Sequence, residues 1–336
     1  MESNTLRLAI LILNFRGVDD TLDCLASLRA AQLDGAHLWL LDNGSADDSA
    51  NRLQSWNDRE QFFPHTIHLS AAGHPTEGSP GTGHHLLFSP VNLGFAAGNN
   101  LLTRLAMDQG YEEVLLLNND TTVAPDFLRW LRAAREVHPT AVLIPQIRLY
   151  AEPGRVWNCG GALRWPGRKK YHFANAPVDR LPAADYLPVS FVTGCALLFR
   201  PQRTGLLTER FFFGEEDVEF SWRLRTNGMV AVCCLRAVVY HKVGQSLATN
   251  ARKSEVFTLR RLVNLKTARG GLTAACGFAF HLANLVRILM MHYRLGPGQA
   301  LASAAWIGRA ALRLDTVGKA WCVDYVLGLV PKDRLP

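Results

Sequence analysis

The sequence predicts an α/β fold, a sheet flanked by helices, followed by a basic helical C-terminal region. Three observations carry this. Apolar runs of strand length alternate with helix-length segments through the first 123 residues, the β-α-β-α-β pattern of parallel strands joined by right-handed crossovers. The runs stop abruptly in polar residues, at Asn14, at Asp42-Asn43-Gly44-Ser45 and at Asn118-Asn119-Asp120. The charge is also partitioned. Of a net +7, residues 251–336 carry 13 Lys+Arg against 4 Asp+Glu, whereas the first 250 residues carry 23 against 25.

The run that ends in acid is the most informative. Val114 to Leu117 is unbroken apolar sequence, as expected of a strand buried on both faces. Ligands of open α/β sheets sit beyond the carboxyl ends of such strands. Asp120 is therefore placed to hold a metal ion or a ligand.

The elements follow in order. Residues 7–14 read as a buried first strand and 18–32 as a helix with Leu22, Leu25 and Leu28 inward. Residues 37–41 make a second strand, and Ser45 or Asp47 caps the next helix. Residues 70–85, rich in Gly, Pro and His, read as a mobile insertion with His74, His84 and His85 in solvent. A short strand at 86–89 leads through a glycine-spaced turn, Asn92 to Asn100, into a helix over 99–109. After the acid-ending strand, 126–138 is helical and 141–149 strand-like, and 151–188 is loop-rich with Trp157, Trp165 and Tyr171. Residues 189–199 read as one apolar strand. A helix runs from Glu215 to Asn227-Gly228, where glycine stops it, and 229–240 is a last strand ending at His241.

Beyond residue 250 the chain reads as helical. Leu282, Leu285, Val286, Leu289 and Tyr293 share one face of 281–293. The stretch 271–291 is the longest apolar run, but it contains His281, Asn284 and Arg287. A spanning helix would bury these at a cost of a few kcal/mol for the arginine alone. A helix lying in the membrane interface fits better.

Composition bounds the function classes. A hydrophobic content of 48% supports a substantial core. The 7 cysteines include no C-x-x-C pair, which reads as a reduced intracellular protein. The N-terminal M-E-S-N-T-L-R lacks a long apolar core, so no signal peptide is expected. Confinement of the positive charge to the C-terminal region argues against a nucleic-acid partner and suits a positive tail beside a near-neutral body.

Five constellations carry candidate chemistry, each with a plainer alternative. Asp42 in Asp42-Asn43-Gly44-Ser45 can accept hydrogen bonds from a base or ribose, or the segment is a helix-capping turn. Small residues in Asn92-Leu93-Gly94-Phe95 and Gly98-Asn99-Asn100 let backbone approach a ligand, or they form a tight strand-to-helix connection. The spacing is not G-x-G-x-x-G, so a dinucleotide fold is not indicated. Asn118-Asn119-Asp120 offers oxygen to a hard cation, or it is a polar strand end. Gly214-Glu215-Glu216-Asp217 follows three phenylalanines, an apolar setting that raises carboxyl pKa values and suits a general base; alternatively it is an acidic helix start favoured by the macrodipole. His241, at a strand end, is a metal ligand or a structural histidine.

Taken together and in this order, the segments resemble those of family 2 glycosyltransferases, nearest the bacterial rhamnosyltransferase-like branch. The matching residues are Asn14 to Gly17, Asp42 to Ser45, Asn92 to Asn100, Asn118 to Asp120, Glu216-Asp217 with Arg223, and His241 to Ser246. The resemblance covers residues 6–250. It implies a GT-A fold (a Rossmann-like, nucleotide-diphospho-sugar transferase mixed sheet) and inverting sugar transfer from a nucleotide donor. By this resemblance Asn14, Asp42, Gly44, Ser45, Asn92, Gly94, Gly98, Asn99 and Asn119 bind the nucleotide-sugar. Asp120, with His241 as second ligand, holds a divalent cation, Mg²⁺ or Mn²⁺. Asp217 is the general base, with Glu216 and Arg223 beside it; Arg223 orients the acid pair or balances phosphate charge. Two departures stand out: Asn118 where the first acid of D-x-D is usual, and Glu219 where Asp is common.

The implied organisation is a glycosyltransferase domain over 1–250, with a nucleotide-sugar half at 1–123 and an acceptor half at 124–250, then the basic amphipathic region 251–336. The expected acceptor is a polysaccharide or polyprenyl-linked sugar. The tail suits the anionic inner face of the cell membrane, or it forms an oligomerisation helix pair. dTDP-rhamnose is the first donor candidate on branch resemblance. The competing readings are a non-catalytic glycan- or nucleotide-binding scaffold, and a sugar-phosphate nucleotidyltransferase, for which Asn14-Phe15-Arg16-Gly17 is too short a loop.

Overall fold

The computed structural model describes residues 7–78, 80–243, 250–268 and 271–335. The chain runs β1 (Leu8–Asn14), α1 (Val18–Ala30), β2 (His37–Asn43), α2 (Ser49–Glu60), β3 (His65–His68), β4 (His85–Ser89), α3 (Phe95–Asp108), β5 (Glu113–Asn118), β6 (Thr121–Val123), α4 (Phe127–Val137) and β7 (Val142–Leu149). It continues through β8 (Val156–Asn158), β9 (Gly161–Arg164), β10 (Arg168–Tyr171), β11 (Tyr186–Val189), β12 (Ala196–Phe199), α5 (Pro201–Thr204), α6 (Glu216–Thr226) and β13 (Ala231–His241). Three long helices follow, α7 (Ala251–Ala268), α8 (Gly271–Met291) and α9 (Pro297–Arg313).

The main sheet has the order β11-β13-β7-β12-β5-β1-β2-β4-β3, with β6 on β13 and β8 on β7. Strands β3, β4, β2, β1 and β5 are mutually parallel, whereas β12 runs antiparallel to β5 and β7. The sheet is therefore mixed. Alternation explains its burial. Ile10, Ile12, Leu38, Leu40, Leu115 and Leu117 face one core with Leu25 and Leu28 of α1. Ala9, Leu11, Trp39, Leu41, Val114 and Leu116 face the other with Leu102 and Ala106 of α3. Each such leucine contributes about 1.5–3 kcal/mol by leaving water. Parallel register then aligns the polar stops: Asn14 lies opposite Asp42, and Leu13 opposite Asn118.

A third core joins the C-terminal helices to the rest. Val256, Leu259, Leu262, Leu285, Leu289, Ala304 and Ile307 pack with Phe211, Val218 and Trp222. The apolar face expected of residues 281–293 is thus spent inside the protein. His281, near the middle of the apolar stretch, is buried and its Nε2 meets the Pro166 carbonyl at 2.7 Å. By length and composition alone, Ala274–Met291 could cross a membrane; its mean hydropathy is 1.5, and 22% of it is buried.

Four expectations are corrected. Helix α3 begins at Phe95 rather than Asn99, because the turn ends at Gly94 (φ 87°), whose N–H bonds Asn92 Oδ1 at 2.8 Å. Residues 189–199 are not one strand: Val189 closes β11, β12 takes Ala196–Phe199, and Thr193 Oγ1 accepts from the Cys195 N–H in the turn between them. The loop-rich 151–188 contains β8, β9, β10 and β11. His84 and His85 are not in solvent. The Leu38 N–H donates to His84 Nδ1, and His85 is fully buried against Trp39, where burial pulls both rings down to about 4 and keeps them neutral. Residues Leu69 and Pro75 bridge the start of that segment, while His74 is exposed.

Candidate active site

The aligned strand ends form the first part of the site. Asn14 donates through Nδ2 to Asp42 Oδ1 at 2.7 Å, and Thr21 donates to Asn14 Oδ1 at 2.8 Å. The Ser45 N–H reaches Asp42 Oδ2 at 3.2 Å, and Ser45 Oγ accepts from the Arg16 N–H at 2.9 Å. Burial raises the Asp42 pKa, against the hydrogen bonds from Ser45 and Asn14. Gly44 is left-handed (φ 71°), and a Cβ there would lie 2.3 Å from the Val91 carbonyl carbon, so the turn after Asp42 excludes any side chain.

Asn43 ties this edge to the next. Its Oδ1 accepts from the Leu93 N–H at 3.1 Å, and its Nδ2 donates to the Gly94 carbonyl at 3.2 Å. Gly94 approaches the Phe212 carbonyl so closely that a Cβ would stand 2.5 Å from it, which brings the start of α3 against the loop leading to α6. Gly98, Asn99 and Asn100 serve packing. A Cβ on Gly98 would meet Leu13 at 3.0 Å. Asn99 caps the Phe95 carbonyl, and Asn100 bonds both backbone groups of Leu207.

At the end of β5, Asn119 donates to Thr21 Oγ1 at 2.9 Å and to the Gly17 carbonyl at 3.2 Å. Asp120 Oδ2 lies 3.1 Å from His241 Nε2, because β6 pairs with β13 directly after the acid. Asp120 Oδ1 and His241 Nδ1 are buried without hydrogen-bond partners. Among the described residues no group of three or more His, Cys, Asp and Glu could hold a metal alone. Two adjacent donors with an orphaned carboxylate oxygen fit a Mg²⁺ or Mn²⁺ whose remaining positions are filled by phosphate and water. Gly244, Gln245 and Ser246 lie outside the described residues.

The acidic turn forms the far side. Glu215 is the N-cap of α6 in the left-handed region (φ 74°), a conformation that costs about 1–3 kcal/mol. It is held by Arg261 through two 2.6 Å hydrogen bonds and by Asn264 Nδ2 at 3.2 Å. Although burial opposes it, Arg261 holds the Glu215 carboxyl below its ordinary pKa. Arg260 donates to the Phe213 carbonyl, and a Cβ on Gly214 would lie 2.6 Å from its guanidinium. Glu216 is buried with Oε2 unpartnered; burial and the neighbouring Asp217 charge raise its pKa to about 7. Asp217, in the first turn of α6, accepts from Lys169 Nζ at 3.2 Å. Despite burial, Asp217 keeps Lys169 protonated. Arg223 is not brought to this acid pair: it bonds Glu219 at 3.1 Å and the Thr204 and Leu206 carbonyls, stapling α6 to the loop after α5.

An aromatic wall links the two sides. The Trp157 ring lies 4.4 Å from His241 and 5.6 Å from Tyr171. Lys169 Nζ sits 5.5 Å from the Tyr171 ring and 4.9 Å from that of Phe191. Beside the wall, the Asn118 N–H donates to the Cys195 carbonyl, and the Val192 N–H to Ser221 Oγ one turn after Asp217. Asp120 and Asp217 are thus ends of one continuous chain of side chains. Sequence reasoning missed Lys169, Asn43 and Arg261.

A scan against protein families finds no match, and neither does a search of curated proteins. Solved structures do match. A mannosyltransferase from Pyrobaculum calidifontis, in complex with GDP-Man and Mn²⁺, superposes with a TM-score of 0.50 at 14% identity over 97% of this chain and 81% of that one. Residues 1–349 of S. aureus TarS match with 0.51 at 11% identity over 97% and 83%. GalNAc-T7, solved with UDP, GalNAc and Mn²⁺, matches with 0.53 at 12% identity over 87% of this chain and 59% of its own. With its mixed sheet, its crossovers and its aligned strand ends, the chain has the GT-A fold of these glycosyltransferases.

Proposed function

We propose that the protein is an inverting glycosyltransferase of the family 2 type. It moves a hexose from a nucleotide-diphosphate donor to a saccharide or polyprenyl-linked acceptor in cell-surface polysaccharide synthesis. The observation that carries this is the pairing of Asp120–His241 with Asp217–Lys169 across the Trp157–Tyr171 wall. A phosphate-side donor set and an acceptor-side carboxylate then share one site, at the sheet edge where ligands of such folds bind.

In this reading the strand ends around Asn14, Asp42, Ser45 and Asn92 receive the nucleoside. Asp120 and His241 would hold a divalent cation, whose charge would offset that of the departing diphosphate. Asp217 accepts the acceptor hydroxyl proton while that oxygen attacks the anomeric carbon from the face opposite the diphosphate. The bond from that carbon to the diphosphate oxygen breaks, and the nucleoside diphosphate leaves with its electron pair. Asp217 is held in the first turn of α6 by the 3.2 Å contact with Lys169 Nζ, which fixes its carboxylate toward the acceptor. dTDP-rhamnose is the first donor to test. The protein works on the cytoplasmic face of the membrane as a peripheral protein through residues 251–336, and its outward surface on α8 and α9 suits this: residues 271–313 hold four arginines and no acid.

The test is a panel of UDP-, dTDP- and GDP-sugars scored with Mn²⁺ by calorimetric titration and donor hydrolysis. One or more donors should bind and hydrolyse slowly. A complete absence of affinity for every nucleoside diphosphate would leave a non-catalytic scaffold as the better reading.

A further inference from the structure

A cavity of ≈ 380 Å³ lies away from the acid pair, between the β9–β10 hairpin, α6 and α7. This is within the ordinary range for a small-molecule site. Trp222 and Leu265 form its floor, and Gly167 keeps it open, since a Cβ there would stand 3.0 Å from Trp222. Arg164, Arg225 and Trp165 line it as well, and Trp165 is 63% exposed. Among the described residues the guanidinium groups of Arg164 and Arg225 make no ion pair or hydrogen bond. The nearest acids along α6 are engaged elsewhere, Asp217 with Lys169 and Glu219 with Arg223, and neither stands three or four residues from Arg225. Across the hairpin, Arg164 faces a third arginine, Arg168. Two arginines without ion-pair partners lining an aromatic-floored cavity offer a site for an oxyanion.

What borders the cavity narrows the ligand. The hairpin tip rests on α8, where His281 meets the Pro166 carbonyl and a Cβ on Gly277 would meet Pro166 at 3.5 Å. Arg168 lies over Phe280 of α8 at 5.9 Å. From there the outward surface of α8 is apolar around one charge, Arg287, with Leu272 81%, Phe280 38% and Met291 77% exposed. Arg225 follows Asp217 by eight residues on α6, about 12 Å along the helix axis.

We propose that this cavity seats the phosphate of a lipid-linked glycan acceptor, with its apolar chain running onto the outward face of α8 and its sugar reaching Asp217. That the ligand is an acceptor rests on the glycosyl-transfer reading; the phosphate-and-chain chemistry rests on the cavity. The test is calorimetric titration of the full chain, without donor, against farnesyl phosphate, farnesol and inorganic phosphate. It is repeated with an Arg164→Gln/Arg225→Gln variant. Both arginines are unpaired at the surface, so the variant keeps its thermal midpoint and its nucleotide titration. Farnesyl phosphate should bind the native chain, and about tenfold or more weaker to the variant. Farnesol and inorganic phosphate should both bind far more weakly. No binding, equal binding to the variant, or equal binding of farnesol would overturn the site. Equal binding of inorganic phosphate would make it a site for a free anion and overturn the lipid-linked assignment. A chain that binds farnesyl phosphate but no nucleotide would sink glycosyl transfer and keep the cavity; the reverse would sink the cavity alone.

Discussion

Asp42 and Glu215 are both buried carboxylates at the candidate site, and they are held by opposite means. Asp42 receives only neutral donors, Asn14 and Ser45, so desolvation dominates and its pKa rises. Glu215 receives Arg261, so despite desolvation its pKa falls. The strand ends hold Asp42 in a lattice of amides and hydroxyls with no counter-charge. The acidic turn keeps one carboxylate fully paired, leaves Glu216 Oε2 without a partner, and sets Asp217 against Lys169. Neutral networks lose little when one member goes, whereas breaking a buried ion pair strands a charge.

Four substitutions break or sharpen that contrast, in order of effect. Asp217→Asn should lower turnover by about 10³-fold, roughly 4 kcal/mol of barrier, with nucleotide affinity unchanged in titration. Turnover near the native rate would move the base assignment to Glu216. Arg261→Met should cost about 3–5 kcal/mol in urea unfolding at neutral pH, because Glu215 is left charged and buried. The pairing of a lowered carboxyl stabilises above its unfolded pKa and is lost as pH falls. The deficit should therefore shrink on acidification, and a deficit independent of pH would deny that charge is its cause. Glu216 carries the opposite sign. With its pKa raised from 4.5 to about 7, it stabilises fully below pH 4.5, and that contribution is lost as pH rises through about 7. The loss is about 3 kcal/mol, and Glu216→Gln should abolish that slope in unfolding measured from pH 4.5 to 8. Ser45→Ala, on the neutral side, should cost only about 1 kcal/mol; a loss as large as that of Arg261→Met would erase the distinction.

The sheet was legible because unbroken apolar runs such as Val114 to Leu117 leave little choice of environment, and their polar stops mark where the strands end. Parallel register then aligns those stops without further information. Side-chain partners across folds were not legible. Lys169 meets Asp217 from 48 residues away and Arg261 meets Glu215 from 46, and no local pattern specifies either. His84 and His85 misled for a related reason: a Gly-, Pro- and His-rich composition resembles solvent-exposed loop, but Trp39 and Phe62 supply rings for them to stack on. Helix α3 begins a turn early because Asn92 caps Gly94 through a side chain, and the glycines that resemble a ligand loop include one, Gly98, whose neighbour is Leu13.

The grip of Arg260, Arg261 and Asn264 on the turn before α6 has a consequence for anyone who would shorten or recombine this gene. A product ending at residue 250 would lose the counter-charge of Glu215 and bare Val218 and Trp222 to water, so it should be recovered as aggregate rather than as a folded domain. Chimaeras that exchange segments between chains of this fold should move α6 and α7 as one cassette.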